Sequence, residues 1–219
     1  MKIRFAKHLN SISDIIRVPF KCITHILSSL HTYMNNNIVL VLLWVGYGII
    51  HSVLASQTVK KRFPIKYYRL IYNLIAFILL IPILYFQVTA DSKRLMEDSI
   101  FNQILGGIMM SAGIFMMYIS IKGYASREFL GLDFDYKESI GLKTDGLSEF
   151  IRHPLYTGTL LFFWGTFGFF ATETFLVTAL SITIYVRIGI YFEEKKLVRT
   201  FGKQYQEYQK KVPMLIPRL

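Results

Sequence analysis

Cysteine is nearly missing from this 219-residue chain. With Cys22 alone, no intrachain disulfide can form, and the 5 histidines are too scattered for a zinc framework, so no structural metal is expected. No Gly-x-Gly-x-x-Gly follows a strand-like run, which removes the usual dinucleotide-binding fingerprint. Internal repeats and low-complexity tracts are absent from the sequence too. Acidic residues are scarce beside basic ones, 14 against 25, for a formal net charge of +11. The basic residues are spread over several loops, so the charge points to anionic lipid headgroups and away from nucleic acid.

What the chain has in plenty is apolar runs. Hydrophobic residues make up 53% of it and the mean hydropathy is +0.40, more than a soluble domain carries. The expectation is an all-α integral membrane protein with about five transmembrane helices. The spans are read as Ile38 to Leu54, Arg69 to Thr89, Ile100 to Ile121, Leu155 to Phe170 and Phe175 to Phe192. At roughly 1.5 Å per residue the last two reach about 24 and 27 Å, slightly short of a hydrocarbon core of about 30 Å, so polar residues at their ends lie near headgroup depth. Lys and Arg favour one side, and the bias puts the open end of the last two spans and the C-terminus in the cytoplasm. Residues 1–34 read as an amphipathic or flexible tail, with Ile12 to Tyr33 as an interfacial helix or an addition to a core that starts near Asn35. Residues 35–219 form the membrane domain, with a functional core at about 122–217.

Spans one to three read as scaffold. Gly107 with Ser111, and Gly106 with Gly113, have the spacing of small residues at helix crossings. Pro82 is expected to bend span two. The short break Ala171-Thr172-Glu173-Thr174 makes spans four and five a hairpin, so His153 and Glu193 sit side by side at its open end. Span four opens with Arg152-His153-Pro154-Leu155-Tyr156-Thr157-Gly158. Pro154 suits the first helical position, because its fixed φ fits and its missing N–H had no partner there. His153 is then the cap residue, and the N–H groups and positive dipole end of this helix suit a ligand carboxylate. Tyr156 leans back toward the helix start, and Gly158 leaves room against the backbone. The bland alternative is an ordinary Pro-initiated helix with an interfacial His and Tyr.

Glu193 and Glu194 end span five, at the negative end of its dipole. Either they bind a hydroxyl donor or cation, such as a ribose diol or a sulfonium, or they pair with Lys195, Lys196 or Arg199 at a solvated end. Beyond them, Leu197, Phe201, Tyr205, Tyr208 and Val212 recur at helical spacing, predicting a cytoplasmic amphipathic C-terminal helix that caps the site. Val212-Pro213 ends it, and Pro217 keeps the tail extended.

Taken together, Arg152 to Gly158, Glu193-Glu194-x-x-Leu197, Phe201-Gly202-x-x-Tyr205-x-x-Tyr208 and Val212-Pro213-x-x-Ile216-Pro217 resemble the isoprenylcysteine carboxyl methyltransferase and phospholipid methyltransferase superfamily. His51-Ser52 and Glu128-Phe129-Leu130-Gly131 resemble more closely its nurim-like and methanethiol S-methyltransferase branch. The resemblance implies a membrane methyltransferase that uses S-adenosylmethionine without a soluble Rossmann domain. It implies a cofactor site of Ile140, Gly141, Leu142, Lys143, His153, Pro154, Leu155, Tyr156, Glu193 and Glu194, with Glu193 on the adenosine portion. Arg187 would hold a carboxylate acceptor, and His51 would serve as base for a thiol. The acceptor would be small or lipophilic, of the thiol or prenylcysteine type, and it is reached from membrane lipid. The sequence does not specify the oligomeric state. Two competing readings remain open: a non-catalytic nurim-like membrane protein, and an NADPH-dependent membrane reductase, which Asp133, Asp135 and Glu138 disfavour by making the adjoining loop acidic.

Overall fold

A computed structural model describes residues 35–63, 67–123 and 141–217. The expected helix from Ile12 to Tyr33, the Glu128–Gly131 element and Ile140 lie outside the described residues. The chain divides into two compact units, Met1–Val39 and Leu40–Leu219. Of the first, only residues 35–39 are described, and the account below concerns the second.

The described residues form seven α-helices and no strand. They are α1 (Asn36–Ala55), α2 (Gln57–Arg62), α3 (Tyr68–Thr89), α4 (Ile100–Gly123), α5 (Pro154–Phe170), α6 (Glu173–Phe201) and α7 (Lys203–Lys211), with a 3₁₀ turn at Gly146–Glu149. Four of them, α1, α3, α4 and α6, are long and apolar enough to cross a membrane. The apolar α5 has 17 residues and is shorter than these. Leu42, Val45 and Ile49 of α1, Leu74, Phe77 and Ile78 of α3, and Ile104, Ile108 and Phe115 of α4 are all exposed. Apolar surface on that scale is stable only against lipid, so the protein is a multi-pass membrane protein.

Glycines make the tightest crossing. An added Cβ at Gly106 would lie 2.7 Å from Gly165 O, and one at Gly113 would lie 2.6 Å from Gly158 O. The pairs 106/165 and 113/158 run in opposite order, so α4 and α5 are antiparallel with their backbones in contact over two turns. The room expected at Gly158 is therefore filled by α4, with Met117 as well as Gly113 against it. Gly106 and Gly113 pack as their spacing predicts, whereas Gly107 faces no neighbour within 4 Å and only accepts a hydrogen bond from Ser111 of its own helix. Helix α3 continues through Pro82 as one element. In the bundle centre Trp44 Nε1 donates to Thr178 Oγ1 at 3.1 Å, and that hydroxyl donates to Gln87 Oε1 at 2.9 Å, tying α1, α6 and α3 together.

The α5–α6 hairpin forms, with a tighter turn than expected. Only Ala171 and Thr172 separate the helices. Ala171 takes a left-handed φ of 53° and its N–H bonds Phe167 O at 2.7 Å. The segment after α3 holds this turn: Leu95 N donates to Ala171 O at 2.7 Å, Glu173 N donates to Lys93 O at 3.0 Å, and Thr174 N donates to Ser92 Oγ at 3.1 Å. Residues 90–99 and 171–174 thus share one end of the bundle, as alternation of the spans requires.

The end of α6 departs from expectation. It does not stop at Glu193-Glu194 but runs 29 residues to Phe201, about 43 Å at 1.5 Å per residue, so the two acids sit inside a helix. Nor is Leu197 to Val212 one helix. Gly202, at φ 55°, breaks it in a backbone conformation that suits a residue without Cβ, and α7 follows. Periodicity hides the break because the step from Phe201 to Tyr205 keeps the helical interval.

Candidate active site

At the open end of the hairpin, α5 begins as its sequence dictates. Pro154 holds the first helical position and His153 is the N-cap, its carbonyl accepting from Thr157 N at 3.0 Å. The N–H groups of Arg152 and His153, just ahead of the first helical turn, have main-chain partners from the C-terminal segment. After α7 the chain turns extended at Val212 and crosses this helix start. Pro213 O accepts from Arg152 N at 2.9 Å, Met214 O from His153 N at 3.1 Å, and Leu215 O from Thr157 Oγ1 at 2.9 Å.

Arg152 fastens the tail from the side-chain direction. Its Nη1 donates to Gln209 O at 3.2 Å and Val212 O at 2.5 Å, while Nε and Nη2 both reach Glu194 Oε1 at 2.7 Å. Glu194 also receives His153 Nε2 at 3.2 Å, Tyr205 Oη at 3.3 Å and Gln209 Nε2 at 3.1 Å. A carboxylate only accepts, so His153 Nε2 carries a proton in this contact. The Arg152 side chain is 8% exposed and that of Glu194 14%. With four side chains upon it, Glu194 is the carboxylate that ties α5, α6, α7 and the tail together. Burial, and then the Glu194 charge, push the Tyr205 phenol well above the usual tyrosine range, so it remains a donor. Tyr208 Oη, on the same short helix, donates to Ser148 O at 2.5 Å and fixes α7 to the 3₁₀ turn.

Adjacent residues on a helix point about 100° apart, so Glu193 faces elsewhere. Half-buried, it lies four residues after Gly189 on the same face. Tyr156 stands opposite: its ring centroid is 5.7 Å from that of His153, and a Cβ added at Gly189 would meet only its hydroxyl, at 3.9 Å. Gly189 therefore puts no side chain where α6 faces the Tyr156 hydroxyl, with the His153 ring beside Tyr156 and Glu193 one turn further along α6. His51 joins this face one turn earlier, where its ring contacts that of Tyr185 at 6.4 Å.

Arg187 lies on a different face. It is exposed, and its Nη1 rests 2.8 Å from Met214 Sδ. With Tyr191, Lys195, Val198 and Met214 it lines a groove of about 350 Å³ between α6 and the C-terminal segment, at whose floor Glu194 lies. The structure thus brings His153 and Tyr156 together, sets Glu193 on the face of α6 that carries Gly189, binds Glu194, rather than Glu193, to His153 within the clamp, and sets Arg187 apart. Leu155 follows Pro154 in the first turn of α5, half-buried. Gly141, Leu142 and Lys143 form an irregular segment before the 3₁₀ turn, with open space beside Gly141. Sequence reasoning gave Gln209 no role, Arg152 only a place in the motif and Tyr205 only a place in the apolar stripe, with no part for any of them in a clamp on Glu194. The signal for Arg152 was its place immediately before the His-Pro pair.

Residues 101–204 match the family model described as phospholipid methyltransferase. A methanethiol S-methyltransferase of Pseudomonas deceptionensis is 48% identical over 77 residues, 35% of this chain and 29% of that protein. A methanethiol S-methyltransferase of Mycobacterium tuberculosis is 30% identical over 192 residues, covering 81% of this chain and 76% of that protein. A protein-S-isoprenylcysteine O-methyltransferase of Schizosaccharomyces pombe is 38% identical over 79 residues, 35% of this chain and 33% of that protein. Matches such as that to the Pseudomonas protein span under a third of the relative's length. No solved structure matches. The extended match to the mycobacterial protein, together with the family model, shows that the chain belongs to the isoprenylcysteine carboxyl methyltransferase and phospholipid methyltransferase superfamily, on its methanethiol S-methyltransferase side.

Proposed function

We propose that this protein is a membrane methyltransferase that uses S-adenosylmethionine and acts on a thiol. The observation that carries the reading is the bare backbone of Gly189 against the Tyr156 hydroxyl, with the His153 ring beside that phenol and Glu193 one turn on along α6. S-adenosylmethionine, when bound, supplies an electrophilic methyl group. The residues present fit such a ligand: Glu193 would accept from a ribose diol, Tyr156 and His153 would border it, and Gly189 has no side chain to exclude it. Backbone of Gly141 to Lys143 would line its other side. With a thiol, the net change is R–SH and S-adenosylmethionine to R–S–CH₃, S-adenosylhomocysteine and a proton. His51 would take the thiol proton, and the apolar surroundings would strip water from the sulfur.

A carboxylate acceptor of prenylcysteine type would need a cation, and Arg187 stands in the outer groove, on another face from Glu193. That separation favours the thiol, as do the printed names of the bacterial relatives. The excess of basic residues supports a cytoplasmic open end of the hairpin, and the apolar α5 would be a fifth, slightly short crossing.

Calorimetry on detergent-purified protein tests the reading. S-adenosylhomocysteine is expected to bind, with affinity lost in Glu193→Ala and reduced in Tyr156→Phe, while NADPH does not bind. Binding of neither ligand would support a non-catalytic membrane protein, and binding of NADPH alone a reductase.

A further inference from the structure

We infer, on the strength of that methyl-transfer reading, that Tyr185 determines specificity by limiting how long a methyl acceptor can be. Tyr185 bars the seam between α1 and α6. Its ring lies on the bare backbone of Gly48, where an added Cβ would stand 2.9 Å from Cδ2, and its hydroxyl is 3.1 Å from Ser52 Oγ, one turn along α1 on the exposed side. One side chain thus closes two successive turns of the seam, and Trp44 with Thr178 closes it deeper in the bundle.

Immediately inside the bar is His51. Its imidazole stacks on Tyr47 at 5.8 Å, with the edges of Tyr72 at 6.0 Å and Tyr185 at 6.4 Å against it. The Nδ1 atom is buried, and among the described residues no group bonds to it. An unpaired buried polar atom is destabilising, and a ligand that bonds there would recover the lost hydrogen bond. Tyr185 and Gly189 are one turn apart on α6, so the His51 ring against Tyr185 and the Tyr156 hydroxyl against Gly189 lie along the same face of that helix. With aromatic rings on three sides, only a compact group can reach Nδ1. A long alkyl or prenyl chain attached to the reacting sulfur has to leave between α1 and α6, where Tyr185 lies. A short thiol needs no such exit.

The experiment uses the full chain in detergent or nanodiscs, comparing turnover of methanethiol, ethanethiol, hexanethiol and dodecanethiol, with S-adenosylhomocysteine binding measured on every variant. The wild type is expected to lose at least about tenfold in kcat/KM from the shortest to the longest thiol, and Tyr185→Ala to recover about tenfold for the longest, the scale that one pocket-filling group commands. Tyr185→Phe keeps the ring over Gly48 and is expected to keep the wild-type preference. If Tyr185→Ala loses S-adenosylhomocysteine binding, Tyr185→Val, which leaves an apolar filler on Gly48, provides the same comparison. A flat thiol profile in a wild type that binds S-adenosylhomocysteine overturns the role of Tyr185 alone, as does an unchanged profile in a binding-competent Ala or Val variant. A wild type that does not bind S-adenosylhomocysteine overturns the methyl-transfer reading and this inference together.

Discussion

The two ends of the α5–α6 hairpin are held by different kinds of chemistry. At the closed end the main chain provides most of the restraint: Ala171 and Glu173 pair with Leu95 and Lys93, and the ion pair of Arg94 with Asp98 nearby is exposed. At the open end a buried guanidinium and carboxylate hold four segments, with the tail carbonyls completing the arrangement. Backbone pairing fixes a shape that few substitutions can alter. A charge cluster holds four segments together only while each member has its partner, so on the proposed function structure and ligand chemistry would be joined at the open end and separate at the closed one.

The sharpest way to break the contrast is Arg152→Met. It leaves Glu194 half-paired in a buried place, and the loss of one member of a buried pair costs about 3–5 kcal/mol. Thermal unfolding in detergent should show that loss, with S-adenosylhomocysteine affinity falling alongside. Double substitution of Arg152 and Glu194 by apolar residues should recover much of the stability and none of the affinity. Tyr205→Phe comes next, since it deletes a hydrogen bond to a charged group, about 1.5–3 kcal/mol.

The Tyr205 phenol also gives the open end a pH dependence. Its folded-state pKa is raised above the unfolded value, by burial first and the Glu194 charge second. Its contribution is therefore complete below the ordinary tyrosine pKa of about 10 and is lost as pH climbs toward the raised value. Denaturation followed above about pH 10 should be steeper in the wild type than in Tyr205→Phe. A parallel pair of curves would remove Tyr205 from the clamp. The smallest effect belongs to the closed end. Ala171 sits in a left-handed conformation that costs an L-residue about 1–2 kcal/mol, so Ala171→Gly should stabilise the protein by up to about 1 kcal/mol after the entropy of glycine is deducted. Ligand binding should not change.

Local chemistry made part of this legible in advance. Pro154 declares the first turn of α5, and with it the capping position of His153, because its fixed φ suits the first helical position, where an N–H has no partner within the helix. The glycine spacing on α4 announced a close crossing, and the partner glycines on α5 have the same interval of seven. The tail across the start of α5 could not be read, because carbonyl oxygens accept in the same way whatever side chain they carry. Residue names also do not separate Glu193 from Glu194. Ending the helix at the pair made them look equivalent, and only its continuation to Phe201 assigns one to the inner face and the other to the clamp. The break at Gly202 escaped for a related reason, since the apolar stripe resumes in phase beyond it.

The carbonyls of Pro213 and Met214 give the site a place in the order of synthesis. Val212 follows Arg152 by 60 residues, so at roughly 5–20 residues per second the start of α5 waits about 3–12 s on the ribosome before the groups that cover it exist. In that interval the arginine can stay hydrated at the membrane surface. A released chain shortened to end before Val212 should therefore still be embedded in the membrane yet show no affinity for S-adenosylhomocysteine.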